Sequence, residues 1–225
     1  CVYLPTMNRL TLFILIFSPQ IFGIFGEKVC HLQQTDLVFV MDESGSVSSK
    51  DFQTGMNAAA EMTNHLVIGS AKNESRVGLV LFSSSGRLGF DLDAHRTNAD
   101  VAYQLRNIRR EEGGTNIAAG MKLALTQIFL RQRREDAMKI MIVVTDGQDN
   151  SNVAAMQSLA ERNQVHVYAL GVSKSVWKEQ LLKITGDPRN VFMADNYNEL
   201  VKIFKEICEE VERETTTTST TTTTT

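Results

Sequence analysis

Oxygen-bearing side chains occur in three short segments that lie far apart along this sequence. The first is Asp42-Glu43-Ser44-Gly45-Ser46, a D-x-S-x-S pattern, and the last is Thr145-Asp146-Gly147. Between them, Gly113-Gly114-Thr115-Asn116 displays one hydroxyl in a flexible loop. Sets made only of oxygen ligands favour Mg²⁺, Mn²⁺ or Ca²⁺ over Zn²⁺. If the fold joins the three segments, we expect a metal site with these ligands: Asp42, Ser44, Ser46, Thr115 and Asp146.

The charge balance of this ligand set predicts what it would bind. Three hydroxyls are neutral, and carboxylates that act through water neutralise a divalent ion only in part. The ion would therefore stay electrophilic and keep an open coordination position. A carboxylate from another molecule is the natural ligand to complete it, so we expect a protein partner that presents an Asp or Glu side chain.

Two continuous apolar runs lead directly into the acidic segments. Residues 36–41 precede the D-x-S-x-S segment, and residues 139–144 precede Thr145-Asp146-Gly147. Runs that are apolar throughout are typical of parallel strands buried on both faces. In a doubly wound sheet, ligands bind beyond the carboxyl ends of the strands, where the strand order reverses. The order 3-2-1-4-5-6 would bring the two acidic loops together at that point.

The remaining pattern alternates strands with helices, which predicts an α/β fold. We expect a doubly wound, mostly parallel six-stranded sheet with helices on both faces and one antiparallel edge strand. The short link at residues 83–86 predicts the antiparallel hairpin. Strands are expected at residues 36–41, 76–82, 87–92, 139–144, 165–171 and 190–193. Helices are expected at residues 50–69, 98–109, 116–131, 153–162, 175–184 and 197–212.

With these elements in register, the three loops resemble the metal-ion-dependent adhesion site of von Willebrand factor type A domains. The resemblance covers residues 36–210. It implies that Ser44, Ser46 and Thr115 contact the metal, while Asp42 and Asp146 act directly or through water. The family usually has a small residue where Glu43 stands. We expect Glu43 to point away from the metal and to add negative charge near the rim of the site.

Both ends of the chain indicate secretion. A basic start at Met7 to Arg9 and an interrupted apolar run up to Gly26 predict a signal peptide within residues 1–26, rather than a membrane anchor. The folded domain is then expected at residues 27–213, and the Thr-rich tract of residues 214–225 is expected to form an O-glycosylated, extended stalk. A sequon at Asn73 predicts a surface glycan.

Two cysteines bracket the predicted domain. Cys30 precedes the first strand and Cys208 lies near the end of the last helix, so a disulfide between them is expected in an oxidising compartment. The arrangement looks like that of extracellular-matrix members of the family. Integrin-inserted members shift their last helix to change affinity, and a disulfide there would restrain such a shift. The resemblance therefore implies a site of nearly fixed affinity.

Other functions are weighed against adhesion. A net charge of −3 argues against nucleic acid as a partner. A metal-dependent hydrolase or phosphoryl transferase could use Asp42 as its nucleophile, but such enzymes usually need a second carboxylate where Ser44 stands. A structural spacer with a vestigial metal site is the third possibility. Ser44 or Ser46 could also simply cap the next helix, and Asp146 could begin a turn. We expect no enzymatic activity.

Overall fold

A computed structural model describes residues 32, 34–132, 134–173 and 176–221, with side chains described up to Arg213. Six strands form one sheet: β1 (Thr35–Asp42), β2 (Arg76–Phe82), β3 (Gly86–Phe90), β4 (Met138–Thr145), β5 (Val165–Val172) and β6 (Val191–Ala194). Their order is β3-β2-β1-β4-β5-β6. Only β2 and β3 pair antiparallel, and the other neighbours are parallel. The predicted fold class, strand order and antiparallel edge are confirmed.

Six helices cover the two faces of the sheet: α1 (Ser49–Met62), α2 (Asn98–Asn107), α3 (Ile117–Leu123), α4 (Val153–Arg162), α5 (Lys178–Thr185) and α6 (Leu200–Thr221). Alternate side chains of β1 enter separate cores, as the two-residue period of a strand requires. Phe39 lies in the core beneath α1, α2 and α6, while Val38 and Val40 lie in the core beneath α3 to α5. Burial on both faces explains why residues 37–41 of the strand are all apolar.

The register of the central strands positions the predicted site. Met41 of β1 pairs with Val144 of β4, so Asp42 and Thr145 follow side by side where both strands end. On the other side of β1, Asp42 pairs with Phe82 of β2. Helix α3 lies close to this region because Gly120 has no side chain. A β-carbon at Gly120 would stand 2.9 Å from the Phe82 ring. The carboxyl ends of three strands and the start of α3 therefore meet at one edge of the sheet.

Several element ends differ from those predicted. Helix α1 ends at Met62, and Thr63–His65 form a 3₁₀ turn in which the Thr63 hydroxyl donates to the carbonyl of Ala60 at 2.7 Å. The last turns of the helix predicted at 116–131 are π-helical, from Ala124 to Phe129. Helix α6 continues to Thr221, whereas residues 214–225 were expected to be extended. A helix that is already formed gains one hydrogen bond for each residue added, which favours this continuation.

None of the helices in the described part of the chain has both the length and the apolar character needed to cross a membrane.

Candidate metal centre

Asp42 is the buried foundation of the candidate site. It ends β1, its residue is 3% exposed, and both of its carboxylate oxygens accept hydrogen bonds. The backbone N–H of Ser44 donates to Oδ1 at 2.8 Å, and the Thr145 hydroxyl donates to Oδ2 at 2.6 Å. These bonds join the end of β1 to the end of β4. They fix the Asp42 carboxylate in position and shape the turn that follows it.

Three oxygen atoms from two loops lie next to one another beyond Asp42. The hydroxyl oxygens of Ser44 and Ser46 are 3.0 Å apart. The Ser46 hydroxyl donates to Oδ1 of Asp146 at 2.7 Å. The cap of helix α1 is a different residue, Ser48, whose hydroxyl accepts from the N–H of Asp51 at 3.1 Å. Ser44 and Ser46 are therefore free of the capping role that was the simpler interpretation of the sequence.

Thr115 reaches the same place from the glycine loop. A β-carbon at Gly147 would stand 3.4 Å from Oγ1 of Thr115 and 3.8 Å from Oγ of Ser46. The two hydroxyls thus border one small space that the absence of a side chain at Gly147 leaves open. The N–H of Gly45 also donates to the carbonyl of Gly113 at 2.9 Å, which fastens the glycine loop to the D-x-S-x-S loop. All five predicted ligands lie at this edge of the sheet.

The surroundings of Asp42 and Asp146 disfavour the ionised form of both carboxyl groups. Burial raises the pKa of Asp42, although hydrogen bonds from Ser44 and Thr145 oppose the shift and the nearby Asp146 charge adds to it. Burial likewise raises the pKa of Asp146, the hydrogen bond from Ser46 opposes it, and the Asp51 charge adds to it. A cation between the hydroxyls would stabilise both ionised carboxylates, because an opposite charge nearby favours the charged form.

The donor set fits a small, hard cation. Octahedral Mg²⁺ holds oxygen at about 2.0–2.1 Å, which separates neighbouring ligands by about 2.9 Å. The 3.0 Å between the Ser44 and Ser46 hydroxyl oxygens is close to that separation. Within the described residues, no group of three or more His, Cys, Asp or Glu side chains could hold a metal. A cation here would therefore depend on hydroxyl oxygens as much as on carboxylates.

Glu43 does not add free negative charge at the rim of the site, because it is buried in an ion pair with Arg87. Its residue is 1% exposed, and the Arg87 guanidinium donates to both of its carboxylate oxygens, at 2.7 and 2.6 Å. The carboxylate does turn to partners outside the predicted ligand set. The expectation that it adds negative charge at the rim was wrong, because a buried ion pair with β3 neutralises it. Nothing local in the sequence indicates this pair, since its members are 44 residues apart.

Sequence reasoning also missed the supporting role of other residues. Thr145 was noted only as part of a motif, yet its hydroxyl orients Asp42. The Arg110 guanidinium donates to the carbonyl of Ser44 at 2.7 Å, 66 residues away in the sequence. Asp149 is another supporting residue of this kind. Its carboxylate accepts the N–H of Ile117 at 2.7 Å, which caps the start of α3.

The remaining predicted sites lie away from the metal centre, and some fall outside the described residues. Cys208 is fully buried in α6 and is disulfide-bonded, while Cys30 lies outside the described residues, so their pairing stays a prediction. Asn73 is exposed in the loop before β2, and its glycosylation stays a prediction. The proposed signal peptide of residues 1–26 also lies outside the described part.

Comparison with known proteins identifies relatives of this fold. The mouse collagen alpha-4(VI) chain is 32% identical over 200 residues, which cover 87% of this chain and 8% of that protein. Human matrilin-1 is 31% identical over 188 residues, covering 80% and 37%. Mouse integrin alpha-X is 29% identical over 197 residues, covering 83% and 16%. The chain thus spans between 8% and 37% of the length of these relatives.

Solved structures agree with this assignment of the fold. Proximal thread matrix protein 1 from the mussel byssus, with a zinc-occupied MIDAS motif, matches with a TM-score of 0.73 at 23% identity, over 79% of this chain and 46% of that one. The family profile described as von Willebrand factor type A domain matches residues 36–206, which include all three loops and all of the sheet except Thr35 at the start of β1. The chain therefore belongs to the von Willebrand factor type A domain family.

Proposed function

We propose that this chain is a secreted adhesion module that binds a partner's Asp or Glu carboxylate through a divalent cation. The observation that carries the proposal is the row of oxygens formed by Ser44, Ser46 and Asp146, at 3.0 and 2.7 Å. Two neutral hydroxyls and one carboxylate leave much of the charge of a cation uncompensated. Mg²⁺ is the proposed ion, with Mn²⁺ and Ca²⁺ as substitutes, since hard cations prefer oxygen ligands.

Relatives in the family support an adhesion role and an extracellular location. They include a collagen chain, a matrilin and an integrin α chain. The mussel protein with a zinc-occupied MIDAS motif supports divalent-metal binding by this fold. Its metal is not the one proposed here, and the ligand chemistry of this chain is the reason for preferring Mg²⁺.

The enzymatic alternative is disfavoured by the surroundings of Asp42. A nucleophilic carboxylate needs access to its substrate, but Asp42 is 3% exposed. Both of its oxygens accept hydrogen bonds, from the N–H of Ser44 and the hydroxyl of Thr145. Ser44 also stands where a phosphoryl-transfer enzyme would carry its second carboxylate. Turnover of a phosphate ester that is lost in Asp42→Asn would nevertheless favour an enzyme.

The test compares cation binding in variants of one loop. Calorimetric titration with Mg²⁺ and Mn²⁺ should give binding to the wild-type chain and at least about tenfold weaker binding to Ser44→Ala and Ser46→Ala. Ser48→Ala is the matched control, because Ser48 lies in the same loop and only caps α1. It should lower stability by about 1 kcal/mol and leave cation affinity unchanged. Equal weakening by all three substitutions would contradict the assignment of Ser44 and Ser46 as ligands.

A second measurement tests the partner. Extracellular proteins would be screened for binding to the wild-type chain in Mg²⁺, in EDTA, and against the Ser44→Ala variant in Mg²⁺. We expect captured proteins to be released by EDTA and to bind Ser44→Ala poorly. Converting the partner's contacting Asp or Glu to Asn or Gln should abolish binding. Binding that survives both EDTA and Ser44→Ala would instead support a spacer with a vestigial metal site.

A further inference from the structure

We propose that Glu43 is a positioning residue of the metal centre, an inference that rests on the proposed function. Its carboxylate is almost fully buried, with 1% of the side chain exposed. Oε1 accepts from Nε of Arg87 at 2.7 Å, and Oε2 accepts from Nη2 of Arg87 at 2.6 Å. Oε2 also accepts the backbone N–H of Glu111 at 2.8 Å. One side chain thus joins the D-x-S-x-S loop to β3 and to the loop that carries Thr115.

Further bonds continue the same connection on both sides of Glu43. Nη2 of Arg87 also donates to the carbonyl of Arg109 at 2.6 Å. Nη2 of Arg110 donates to the carbonyl of Ser44 at 2.7 Å. The N–H of Gly45 donates to the carbonyl of Gly113 at 2.9 Å. The Glu43–Arg87 clamp, meaning this ion pair with its bonds to residues 109 and 111, is therefore the inner part of a continuous seam between two loops.

The clamp matters for Thr115 because the loop around it has no regular structure of its own. Residues 108–116 are neither helical nor part of a strand, so no ladder of backbone hydrogen bonds fixes their path. The position of the Thr115 hydroxyl relative to Ser44 and Ser46 then depends on the bonds to neighbouring loops. Besides Asp42, Glu43 is the only residue of the D-x-S-x-S segment with a carboxylate. That carboxylate binds Arg87 and the N–H of Glu111 rather than the proposed cation.

Removing the clamp should weaken cation binding without removing a ligand. Residues that orient metal ligands from outside typically contribute 10–100-fold to affinity when they are replaced. In Glu43→Gln, the neutral amide keeps the size of the side chain but cannot accept two bonds from Arg87. In Arg87→Lys, the positive charge stays near Glu43, but the two parallel bonds and the bond to the Arg109 carbonyl are lost.

The chain contains a matched control for this experiment at the other end of β1. Asp36 is also 1% exposed and is paired with one arginine, whose Nη2 lies 2.6 Å from its Oδ1. That arginine, Arg134, also donates to the carbonyl of Glu74 at 2.7 Å. Asp36→Asn therefore disrupts a buried ion pair of the same kind, at the end of β1 away from Glu43 and the metal centre.

The experiment measures two properties of the full chain. Free Mn²⁺ is followed by electron paramagnetic resonance to give the affinity for Mn²⁺. Amide hydrogen exchange in EDTA shows how firmly the backbone of residues 109–115 is held. We expect Glu43→Gln and Arg87→Lys to weaken Mn²⁺ binding at least about tenfold and to speed exchange of the Glu111 amide and its neighbours. We expect Asp36→Asn to lose thermal stability comparably while its Mn²⁺ affinity stays within about twofold of wild type.

Two results would overturn the inference. One is a folded Glu43→Gln variant that binds Mn²⁺ as tightly as the wild type. The other is an Asp36→Asn variant that weakens binding equally, because the loss would then reflect general destabilisation. A wild-type chain that binds no Mn²⁺ at all would refute the proposed function instead. The exchange rates of residues 109–115 would then still decide, without any metal, whether Glu43 holds the loop.

Discussion

The response of this protein to divalent cations should depend on pH in a direction that the buried carboxyl group of Asp42 and the half-buried one of Asp146 determine. Burial raises the pKa of both Asp42 and Asp146 above the ordinary value of 3.8. A cation binds the ionised carboxylates, so protons compete with it at a higher pH than they would at exposed aspartates. The affinity should fall as the pH falls, by up to about one log unit per pH unit for each carboxyl that must lose a proton.

The size of the effect on stability follows from the affinity and the chain length. A ligand present at about 100 times its Kd stabilises the folded state by about 2.7 kcal/mol. For a domain of roughly 150–250 residues, 1 kcal/mol corresponds to a shift in Tm of about 2–4 °C. Saturating Mg²⁺ at neutral pH should therefore raise the Tm by about 5–10 °C relative to EDTA.

The stability of the metal-free protein should rise as the pH falls, whereas the affinity for the cation should fall. A carboxyl whose folded pKa lies above its unfolded pKa binds protons more tightly in the folded state. Its contribution to stability is fully present below the unfolded value of 3.8 and is lost as the pH rises through the raised folded value. Acidification from neutral pH thus relieves the cost of Asp42 and Asp146 in EDTA. The stability curves in Mg²⁺ and in EDTA should converge as the pH falls.

Thermal unfolding from about pH 8 down to about pH 4, close to the ordinary pKa of 3.8, in Mg²⁺ and in EDTA, tests this reasoning. Asp146→Asn removes one of the two charges and should greatly reduce the response to Mg²⁺. The reasoning would be refuted if the Mg²⁺ effect on Tm were the same at every pH, or if Asp146→Asn responded to Mg²⁺ as the wild type does.

Three further substitutions test the framework around the metal centre. Arg134→Met should lower the free energy of unfolding in urea by about 3–5 kcal/mol, because it leaves Asp36 charged and buried, and Asp36→Asn in the same chain should recover part of that loss. Gly120→Ala should cost about 1–3 kcal/mol, since its β-carbon would stand 2.9 Å from the Phe82 ring, and an unchanged Tm would contradict the close packing of α3. Asp149→Ala should cost about 1 kcal/mol through loss of its cap on α3, whereas abolished Mg²⁺ binding would make it a ligand instead.

The fold was predictable because its signals are local and repeated. Residues 37–41 are apolar at every position, and burial of β1 on both faces is the physical cause. Helix ends were less predictable. The apolar stripe of α1 continues to Leu66, which is buried, but Leu66 forms a bridge with Leu32 rather than a further helical turn. Contacts with a distant segment overrode the periodicity, and no local pattern records them.

Part of the candidate site was likewise predictable from the sequence, and part was not. The meeting of the three loops that carry the predicted ligands followed from the motif and from the strand order, because the carboxyl ends of parallel strands share one edge. The residues that support the site could not be predicted from the sequence. Glu43 contacts Arg87 across 44 residues of sequence, and Ser44 contacts Arg110 across 66. Charged residues scattered along a chain have many equivalent pairings until the fold fixes their distances. Burial of Glu43 was therefore visible only in the structure.

The compensation of charge along β1 and at the residue after it favours a cation site beside Asp42. Among the described residues, three acidic side chains are buried, namely Asp36, Asp42 and Glu43. Arginines pair with the first and the last, at 2.6 Å in each case. The hydrogen bonds of Asp42 come instead from a backbone N–H and a hydroxyl, both neutral. A buried carboxylate stabilised only by neutral donors gains most from a nearby cation, because Coulomb energy grows as solvent is excluded. An arginine in that place would neutralise Asp42 but would leave no open coordination position for a partner. Asp36 and Glu43 thus have permanent countercharges from arginines, whereas the proposed cation would supply an exchangeable one to Asp42 in the crevice where binding is proposed.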